Sequence, residues 1–273
     1  MDFFNRHYTF QVKLLLVLIG VFLVAFIIFF TLTFLNRFKR IKKNELKEKY
    51  QKEIDQLLFE LLFDENNSVK DVARKFKDEI VPTKLVKKIT LKSINSLHRN
   101  YTGDLKKKIE EFYIESNLTN YSLKKIDSYN WAKVVEGIRD LSNLNYQPAY
   151  EIISSKLNHK KRIVQKEAFI GVILLKGLDE LVKLKDCELY LDDWTQSNIL
   201  YVVKRDVMTL PVKIHLLFDS KNETIILLGA RILHYFQAKH LLPLLENYDT
   251  KNINPIIKVK LESIINQLKN IHQ

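Results

Sequence analysis

Residues 14–35 read LLLVLIGVFLVAFIIFFTLTFL, and this stretch decides how the rest of the chain is organised. It holds 22 residues without a charge and lies between Lys13 and Arg37. An α-helix rises about 1.5 Å per residue, so a helix of this length covers roughly 33 Å, close to the thickness of the hydrocarbon core of a bilayer. The sequence therefore predicts a transmembrane helix over residues 14–35.

A cleaved signal peptide is the alternative interpretation of this stretch. The apolar part of a signal peptide is about 7 to 15 residues long and precedes small residues at a cleavage site. Here residues 34–40 read FLNRFKR, which is a stop-transfer pattern. We therefore expect the helix to stay in the protein.

The charges beside the helix predict its orientation, because basic residues next to a membrane span remain on the cytoplasmic side. Arg6 and Lys13 precede the span, whereas eight basic residues follow it within residues 36–52. Residues 1–13 are then a short extracytoplasmic N-terminus, and the chain after residue 35 is cytoplasmic. We expect a single-pass protein of the cell (inner) membrane.

A basic stem over residues 36–66 follows the span. Its eight basic residues and two glutamates leave residues 36–52 at +6, which is half of the formal net charge of +12. The five basic residues nearest to the span are Arg37, Lys39, Arg40, Lys42 and Lys43. We expect these five to contact anionic lipid head groups, an interaction of roughly 1 kcal/mol for each residue near the surface.

Apolar residues of the stem fall at spacings of three and four, which predicts an amphipathic helix that ends near Asp64. This stem stripe consists of Leu46, Tyr50, Ile54, Leu57, Leu58, Leu61 and Leu62. Two alternatives for its partner remain open. The stripe packs against its own downstream domain, or it pairs with a helix of another membrane protein or of a second copy, which would make a homodimer.

The composition favours an all-α fold. Six glycines and five prolines among 273 residues are few for β-sandwiches or for Gly-rich nucleotide loops. An apolar share of 47% is ample for a buried core, and the single Cys187 excludes an internal disulfide. Over residues 67–126 we predict short amphipathic helices, interrupted by Pro82 and by a turn at residues 101–104.

An internal repeat with a step of 31 residues is the most specific signal within residues 127–273. Counting by 31 from Gly137 reaches Ala168, Ile199, Ala230 and Leu261, which are small or apolar. Counting from Leu141 reaches Val172, Val203, His234 and Ile265, and a third column holds Val164, Ile226 and Ile257. Each step accommodates two helices and two turns. Such pairs cannot bury their apolar faces alone, so the sequence predicts that they stack into a solenoid.

Two stretches of this region resemble the HEAT family of helical repeats. Residues 158–168 read NHKKRIVQKEA and residues 220–231 read SKNETIILLGAR, and both look like the family's polar turn, β-branched pair and small residue. Residues 241–245, LLPLL, are similar to its second helix. The pattern departs at Gln165, where the family usually has Arg, and the unit from Trp194 to Val203 lacks the turn signature.

The whole arrangement also resembles a group of bacterial single-pass membrane proteins with cytoplasmic HEAT-like domains. The shared stretches are LHRNYTG at residues 97–103 and LDDWTQ at residues 191–196. That group is thought to work beside membrane glycosyltransferases of polysaccharide synthesis. The resemblance therefore implies a supporting role in such a complex.

Motifs for catalysis or metal binding do not occur in the sequence, which has no Gly-rich phosphate loop, GxSxG elbow, HExxH pair or paired-cysteine spacing. His234 and His240 are six residues apart and do not share a helix face. The acidic cluster around Cys187 is explained as a turn between repeats with Asp at helix starts, more simply than as a cation site or an acid-base pair. Trp131 and Trp194 are explained as core or ridge positions in preference to base-stacking. We expect a chain that is not an enzyme and that holds no metal and no cofactor.

Together these features predict a membrane-anchored scaffold that binds a protein partner, and we expect this partner to be a membrane or membrane-associated enzyme. The alternative is a nucleic-acid or polyanion-binding protein. It is motivated by three basic groups, namely Lys84 with Lys87 and Lys88, Lys106–Lys108, and Lys160–Arg162. Solvated helix faces explain these groups more simply, so a nucleic-acid partner is the less favoured prediction.

Overall fold

The computed structural model describes residues 10–248 and 253–270, and these ranges divide into two compact units. The first unit ends at Gln56 and the second begins at Leu57. All regular structure in the described ranges is helical, and no strand occurs in them, which confirms the all-α prediction. Arg6 and most of the predicted extracytoplasmic N-terminus lie outside the described residues.

Helix α1 runs from Phe10 to Phe63 without a break, so the predicted transmembrane and stem helices are one helix of 54 residues. No glycine or proline lies between residues 21 and 63, and therefore nothing in this stretch interrupts the helical hydrogen bonding. All side chains from Leu14 to Leu35 are exposed. In the described part of the chain α1 is the one helix that is long and apolar enough to cross a membrane, with a mean hydropathy of 3.2 in its most apolar window.

Among the described residues of the second unit, twelve further helices follow. In chain order they are α2 (Val69–Asp78), α3 (Lys84–Asn100), α4 (Gly103–Glu115), α5 (Leu118–Ile126), α6 (Trp131–Asn143), α7 (Tyr150–Ser155), α8 (Arg162–Lys176), α9 (Asp179–Lys183), α10 (Asp193–Arg205), α11 (Glu223–Tyr235), α12 (Leu242–Glu246) and α13 (Pro255–Lys269). Short 3₁₀ helices connect some of them, at Gln147–Ala149, Lys156–Asn158, Ile214–Asp219 and Lys239–Leu241.

The end of α1 belongs to the second unit and is buried there. Four residues of the stem stripe, Leu57, Leu58, Leu61 and Leu62, are at most 4% exposed. The Lys75 ammonium on α2 reaches Glu60 at 2.7 Å, and the Lys108 ammonium on α4 donates to the Leu62 carbonyl at 3.5 Å. These four leucines are therefore part of the core of the second unit.

Five helices of 13 to 15 residues carry the predicted repeat: α6, α8, α10, α11 and α13. We call them the first helices. They begin at residues 131, 162, 193, 223 and 255, at intervals of 31, 31, 30 and 32. The column from Gly137 to Leu261 is buried at all five positions, and the column from Leu141 is buried at Val172 and Val203 and half-buried at His234 and Ile265. A Cβ on Gly137 would lie 2.8 Å from the Ser122 carbonyl oxygen, so the close approach of α5 requires glycine there.

The second helix of each repeat is shorter than the sequence suggested. Helices α7, α9 and α12 have five or six residues, and the unit after α10 has the 3₁₀ helix Ile214–Asp219 instead. After α6, α8, α10 and α11 the chain turns through a residue with positive φ. These residues are Asn145 (φ 53°), Gly177 (80°), Val207 (49°) and Gln237 (52°).

This left-handed turn ends three of the helices in the same way. The amide of Tyr146 donates to the Leu141 carbonyl, that of Met208 to Val203 and that of Ala238 to Leu233, at 2.9 to 3.0 Å. Such a bond from the third residue past a helix satisfies a carbonyl that would otherwise lack a partner. The first helices therefore stop at equivalent points of the step.

Consecutive first helices pack against one another in chain order. At the start of α10 the Leu191 amide donates to Thr224 Oγ1 at 3.0 Å, near the start of α11. The Asn254 amide, at the start of α13, donates to Glu223 Oε2 at 3.0 Å. Because the N-terminal ends of α10, α11 and α13 meet, these three helices run parallel.

Candidate binding groove

A concave surface of the second unit lies between α3, α6, α8 and α10. It consists of two cavities of about 490 and 180 Å³. Arg99, Arg139, Asn143 and Tyr201 line both cavities, so the two form one continuous groove. Its volume is in the range of surfaces that bind ligands in proteins.

Helix α3 forms one wall of the groove. Lys88, Lys92, Asn95 and Arg99 line it at intervals of four, three and four residues, which places them on one face of the helix. Thr83 caps this helix by accepting a hydrogen bond from the Val86 amide. Lys88, Lys92 and Arg99 are exposed and form no ion pair with the described residues. We call these three side chains the basic stripe.

Helix α10 forms the opposite wall and repeats the same spacing. Trp194, Asn198, Tyr201 and Arg205 line the groove at intervals of four, three and four residues. The Trp194 side chain is 63% exposed and that of Tyr201 is 57% exposed. We call Trp194 and Tyr201 the aromatic pair. Large aromatic side chains this exposed on a concave surface are typical of contact sites for other molecules.

The floor of the groove is built around Asp140 of α6, which is 9% exposed. Its carboxylate accepts hydrogen bonds from Lys125 at 2.7 Å and from Asn95 at 3.1 Å. Burial raises the pKa of Asp140 above its ordinary value, although the neighbouring Lys125 acts to lower it. Asn95 Oδ1 is buried without a hydrogen-bond partner among the described residues, so one acceptor of this floor is unused.

The other arginines of the groove are paired within the chain. Arg139 donates to Glu167 at 2.6 Å, and this bond from α6 to α8 raises the pKa of Arg139. Arg205 donates to the neighbouring Asp206 at 2.6 Å. Burial acts to raise the pKa of Asp206, but the bonds from Arg205 and from Lys106 outweigh it and hold that pKa below its ordinary value. The basic stripe therefore supplies the unpaired positive charge of the groove.

Ion pairs also connect the later first helices. The Lys166 ammonium of α8 bonds to Asp192 at 2.6 Å, directly before α10. Asp193 of α10 accepts from Arg231 of α11 at 2.7 Å and from Lys260 of α13 at 2.6 Å. Hydrogen bonds from Lys166 and then Thr195 lower the pKa of Asp192 to about 2. Ion pairs thus join α8 to the start of α10, and α10 to both α11 and α13.

The acidic cluster that the sequence predicts to be a turn between repeats, with Asp at helix starts, consists of Asp186, Glu188, Asp192 and Asp193. For Asp192 this prediction is confirmed, because its side chain accepts from the Thr195 amide and caps α10. The two tryptophans are surface residues, since Trp131 is 45% and Trp194 63% exposed. The core alternative for them is therefore wrong and the ridge alternative stands.

The predicted membrane-contact residues are all exposed on α1. They are Arg37, Lys39, Arg40, Lys42 and Lys43. Their contact with lipid head groups stays a prediction. The groove was not predicted from the sequence. The one available signal was the helical spacing of Lys88, Lys92 and Arg99, together with the seven-residue interval between Trp194 and Tyr201, which also separates Lys92 from Arg99.

Histidines and acidic side chains do not converge into a metal site within residues 10–248 and 253–270, where no three His, Cys, Asp or Glu side chains form a suitable group. His98 is buried and forms a hydrogen bond of 2.8 Å from Nε2 to Glu110. This pair joins α3 to α4 and positions the helix that carries the basic stripe.

Comparisons with known proteins give no match. No family model matches the chain, and no curated protein or solved structure is significantly similar to it. The likeness to HEAT repeats therefore rests on the residues alone.

Proposed function

We propose that this chain is a membrane-anchored scaffold. Residues 14–35 of α1 cross the bilayer, the later residues are cytoplasmic, and the repeats of the second unit form a HEAT-like solenoid. The groove between α3 and α10 binds a protein partner. The chain acts by holding this partner at the membrane and performs no chemistry of its own.

Exposed apolar and aromatic surface is the observation that carries this proposal. The side chains from Leu14 to Leu35 are exposed along α1, and Trp194 and Tyr201 are exposed along the groove. Large contiguous apolar surface on a protein marks a contact with a membrane or another protein. A lipid bilayer suits the first surface because its length matches the hydrocarbon core, and a protein suits the second.

The orientation is supported by the charges that flank the apolar segment. The five residues from Arg37 to Lys43 precede further lysines in the stem, and the segment before the span carries few positive charges. Basic flanks stay in the cytoplasm during insertion. We therefore assign the second unit to the cytoplasmic side of an inner membrane.

The solenoid is supported by the near-constant interval between first helices and by their packing in chain order. Ion pairs join α6 to α8, α8 to the start of α10, and α10 to α11, as in the pair of Arg139 with Glu167. In helical repeat proteins neighbouring units bury a shared core and present a concave surface. The groove corresponds to part of such a surface.

A membrane enzyme is the partner that the sequence favours, and a glycosyltransferase of polysaccharide synthesis is the most specific candidate. The two stretches that carry the resemblance to proteins of such complexes, residues 97–103 and 191–196, contribute Arg99, Asn100 and Trp194 to the groove. Anchoring two proteins in one membrane raises their effective concentration, so a weak contact in the groove suffices to hold them together.

Site-specific photo-cross-linking in membranes of the native cell tests this function. Tyr201 is replaced by the photoreactive residue benzoylphenylalanine in the full-length chain, and Tyr129, which is fully exposed and does not line the groove, is replaced in a control. We expect a discrete adduct with one membrane protein from position 201 and none from position 129. Identical adduct patterns from both positions, or no adduct from position 201, would contradict the proposal.

A further inference from the structure

We infer that the groove binds an extended acidic peptide segment that also carries a large apolar side chain. This inference rests on the proposed function, because it specifies the chemistry of the protein partner. The acidic side chains contact the basic stripe on α3, and the apolar side chain lies against the aromatic pair on α10.

Charge complementarity is the first argument. Lys88, Lys92 and Arg99 are exposed in one row and form no ion pair with other described residues. An arginine or lysine in a groove gains from a carboxylate ligand, and arginine binds a carboxylate with two parallel hydrogen bonds. A ligand with a row of carboxylates therefore satisfies charges that the chain itself leaves without partners.

The spacing of the basic stripe fits an extended peptide. At about 1.5 Å per residue, Lys88 and Lys92 are roughly 6 Å apart along the helix axis, and Lys88 and Arg99 are roughly 16 Å apart. Side chains on one face of an extended chain repeat every 6.6 Å or so, so alternate positions lie at about 0, 7, 13 and 20 Å along it. Acidic residues at the first and third positions match Lys88 and Lys92, and those at the fifth and seventh lie within about 4 Å of Arg99 along this direction.

The aromatic pair supplies the second contact. Trp194 and Tyr201 are separated by two turns on α10, about 10 Å along the axis, and both rings are more than half exposed. An apolar side chain placed between them is removed from water on two sides. Tryptophan and tyrosine are enriched at the centres of protein interfaces for this reason.

Nucleic acid is a poorer ligand for the same surface. The carboxylates of the groove, Glu136, Asp140 and Glu167, are paired with Lys125 or Arg139 and do not distinguish the two ligands. Two of the basic residues on which the prediction of a polyanion partner rested are paired within the chain. Lys106 is paired with Asp206 at 2.9 Å and Lys107 with Asp104 at 3.5 Å. Binding to nucleic acid depends on many unpaired cations along one surface, and the groove has three.

The test uses the full-length protein in lipid nanodiscs and fluorescence anisotropy. The probe is a fluorescein-labelled twelve-residue peptide of alternating Glu and Ser with one central Trp. A matched peptide with Lys in place of Glu, and a 20-nucleotide oligo-dT strand, serve as comparisons. We expect the acidic peptide to bind at least about 10-fold more tightly than either, because opposite charges favour association and like charges oppose it.

Charge reversal identifies the wall that binds. The triple variant Lys88→Glu, Lys92→Glu, Arg99→Glu is expected to weaken binding of the acidic peptide at least about 10-fold. The matched control reverses Lys70, Lys77 and Lys124, which are exposed, unpaired among the described residues and outside the groove. This control carries the same change in net charge and should change the affinity less than about 2-fold, since exposed distant charges are screened.

The aromatic pair has its own test. Trp194→Ala and Tyr201→Ala should each weaken binding of the Trp-containing peptide by about 10-fold and leave the binding of a peptide without Trp nearly unchanged. Circular dichroism and thermal unfolding of each variant verify that the fold is retained. An equal loss for both peptides, or equal effects of the stripe and control reversals, would overturn the inference.

Two outcomes separate this inference from the proposed function. If the photo-cross-linked partner is still captured at position 201 in the charge-reversed variant, the acidic ligand is wrong and the scaffold function stands. If oligo-dT binds as tightly as the peptide and competes with it, the groove is a polyanion site and the inference falls. Absence of any adduct at position 201 contradicts the proposed function itself, whatever the peptide does.

Discussion

Asp192 does two things at the start of α10, since it accepts hydrogen bonds from the Thr195 amide and from Lys166 of α8. Its pKa falls from 3.8 to about 2 in the folded chain. A carboxyl whose pKa is lowered by folding stabilises the fold above its unfolded pKa, and this contribution disappears as the pH falls through the folded pKa. For Asp192 the loss therefore occurs between about pH 4 and pH 2.

We predict that Asp192→Asn lowers the free energy of unfolding by about 1 kcal/mol at pH 7, because the charged bond to Lys166 is lost while an amide oxygen still caps the helix. The side chain is 45% exposed, which keeps this value small. Thermal unfolding at pH 7, 5 and 3 measures the effect, and the difference in stability between the variant and the unchanged protein should shrink toward pH 3. Asp78→Asn, at an exposed position, serves as control, and a difference at position 192 that does not depend on pH would contradict the prediction.

Val207 adopts a left-handed conformation with φ 49° and is 83% exposed. A β-branched residue is strained there, by an amount on the order of 1 to 2 kcal/mol, whereas glycine is not. We predict that Val207→Gly raises the free energy of unfolding by about 1 kcal/mol, measured by urea denaturation. The control Val212→Gly, at an exposed residue without positive φ, should be neutral or destabilising by about 0.5 kcal/mol. Equal effects at both positions would show that the strain at Val207 has no energetic weight.

Single residues explain what the sequence pattern did and did not reveal. Gly137 and Ala168 were predictable as small buried residues, because close packing leaves a periodic trace. The turn at Val207 leaves none, since valine is an unusual residue for a left-handed turn. The early end of each first helix, and hence the shortness of the second helices, could therefore not be inferred.

At the scale of elements, α1 carries the charge asymmetry that should determine its orientation. We predict that replacing Arg37, Lys39, Arg40, Lys42 and Lys43 by Gln makes the orientation mixed or inverted, because the flanks then differ little in positive charge. Cys187 is the one cysteine of the chain and is partly exposed, so it reports the location of the second unit. A membrane-impermeant maleimide should label it from outside intact cells in this variant and not in the unchanged protein.

The control for this experiment removes five lysines from the second unit. They are Lys70, Lys77, Lys84, Lys124 and Lys133, which are all exposed. The change in net charge is the same, but these residues are far from the apolar segment in sequence and should not affect its insertion. Labelling of Cys187 in the control as strong as in the variant would refute the role of the flanking charges.

The first helices were predictable as elements because their apolar residues keep one period across the repeat. The two walls of the groove, α3 and α10, could not be recognised as a pair in this way. The stripe on α3 precedes the repeat, and its pairing with α10 across α6 and α8 depends on how the chain folds back. A helical spacing of charges in one segment does not indicate which distant segment faces it, so the groove needed the structure.

At the scale of the second unit, charge counts in the sequence also gave an incomplete picture. Lys106 and Asp206 are 100 residues apart and form an ion pair of 2.9 Å, and Asp193 and Lys260 are 67 residues apart and bond at 2.6 Å. Such pairs neutralise individual basic residues in ways that local composition does not show. The unpaired basic side chains of the groove, those of the basic stripe, are fewer than the sequence suggested. These side chains define the chemistry of the candidate ligand.

The parallel direction of α10, α11 and α13 has an electrostatic consequence. Each helix carries a dipole equivalent to about half an elementary positive charge at its N-terminus and half a negative charge at its C-terminus, and side-by-side parallel dipoles repel. The chain sets Asp193 and Glu223 in the first turns of α10 and α11, and Lys204 and Arg205 in the last turn of α10. These side chains counter the aligned dipoles at both ends. Acid therefore removes more than single bonds, because a protonated Asp193 no longer counters the positive end of α10.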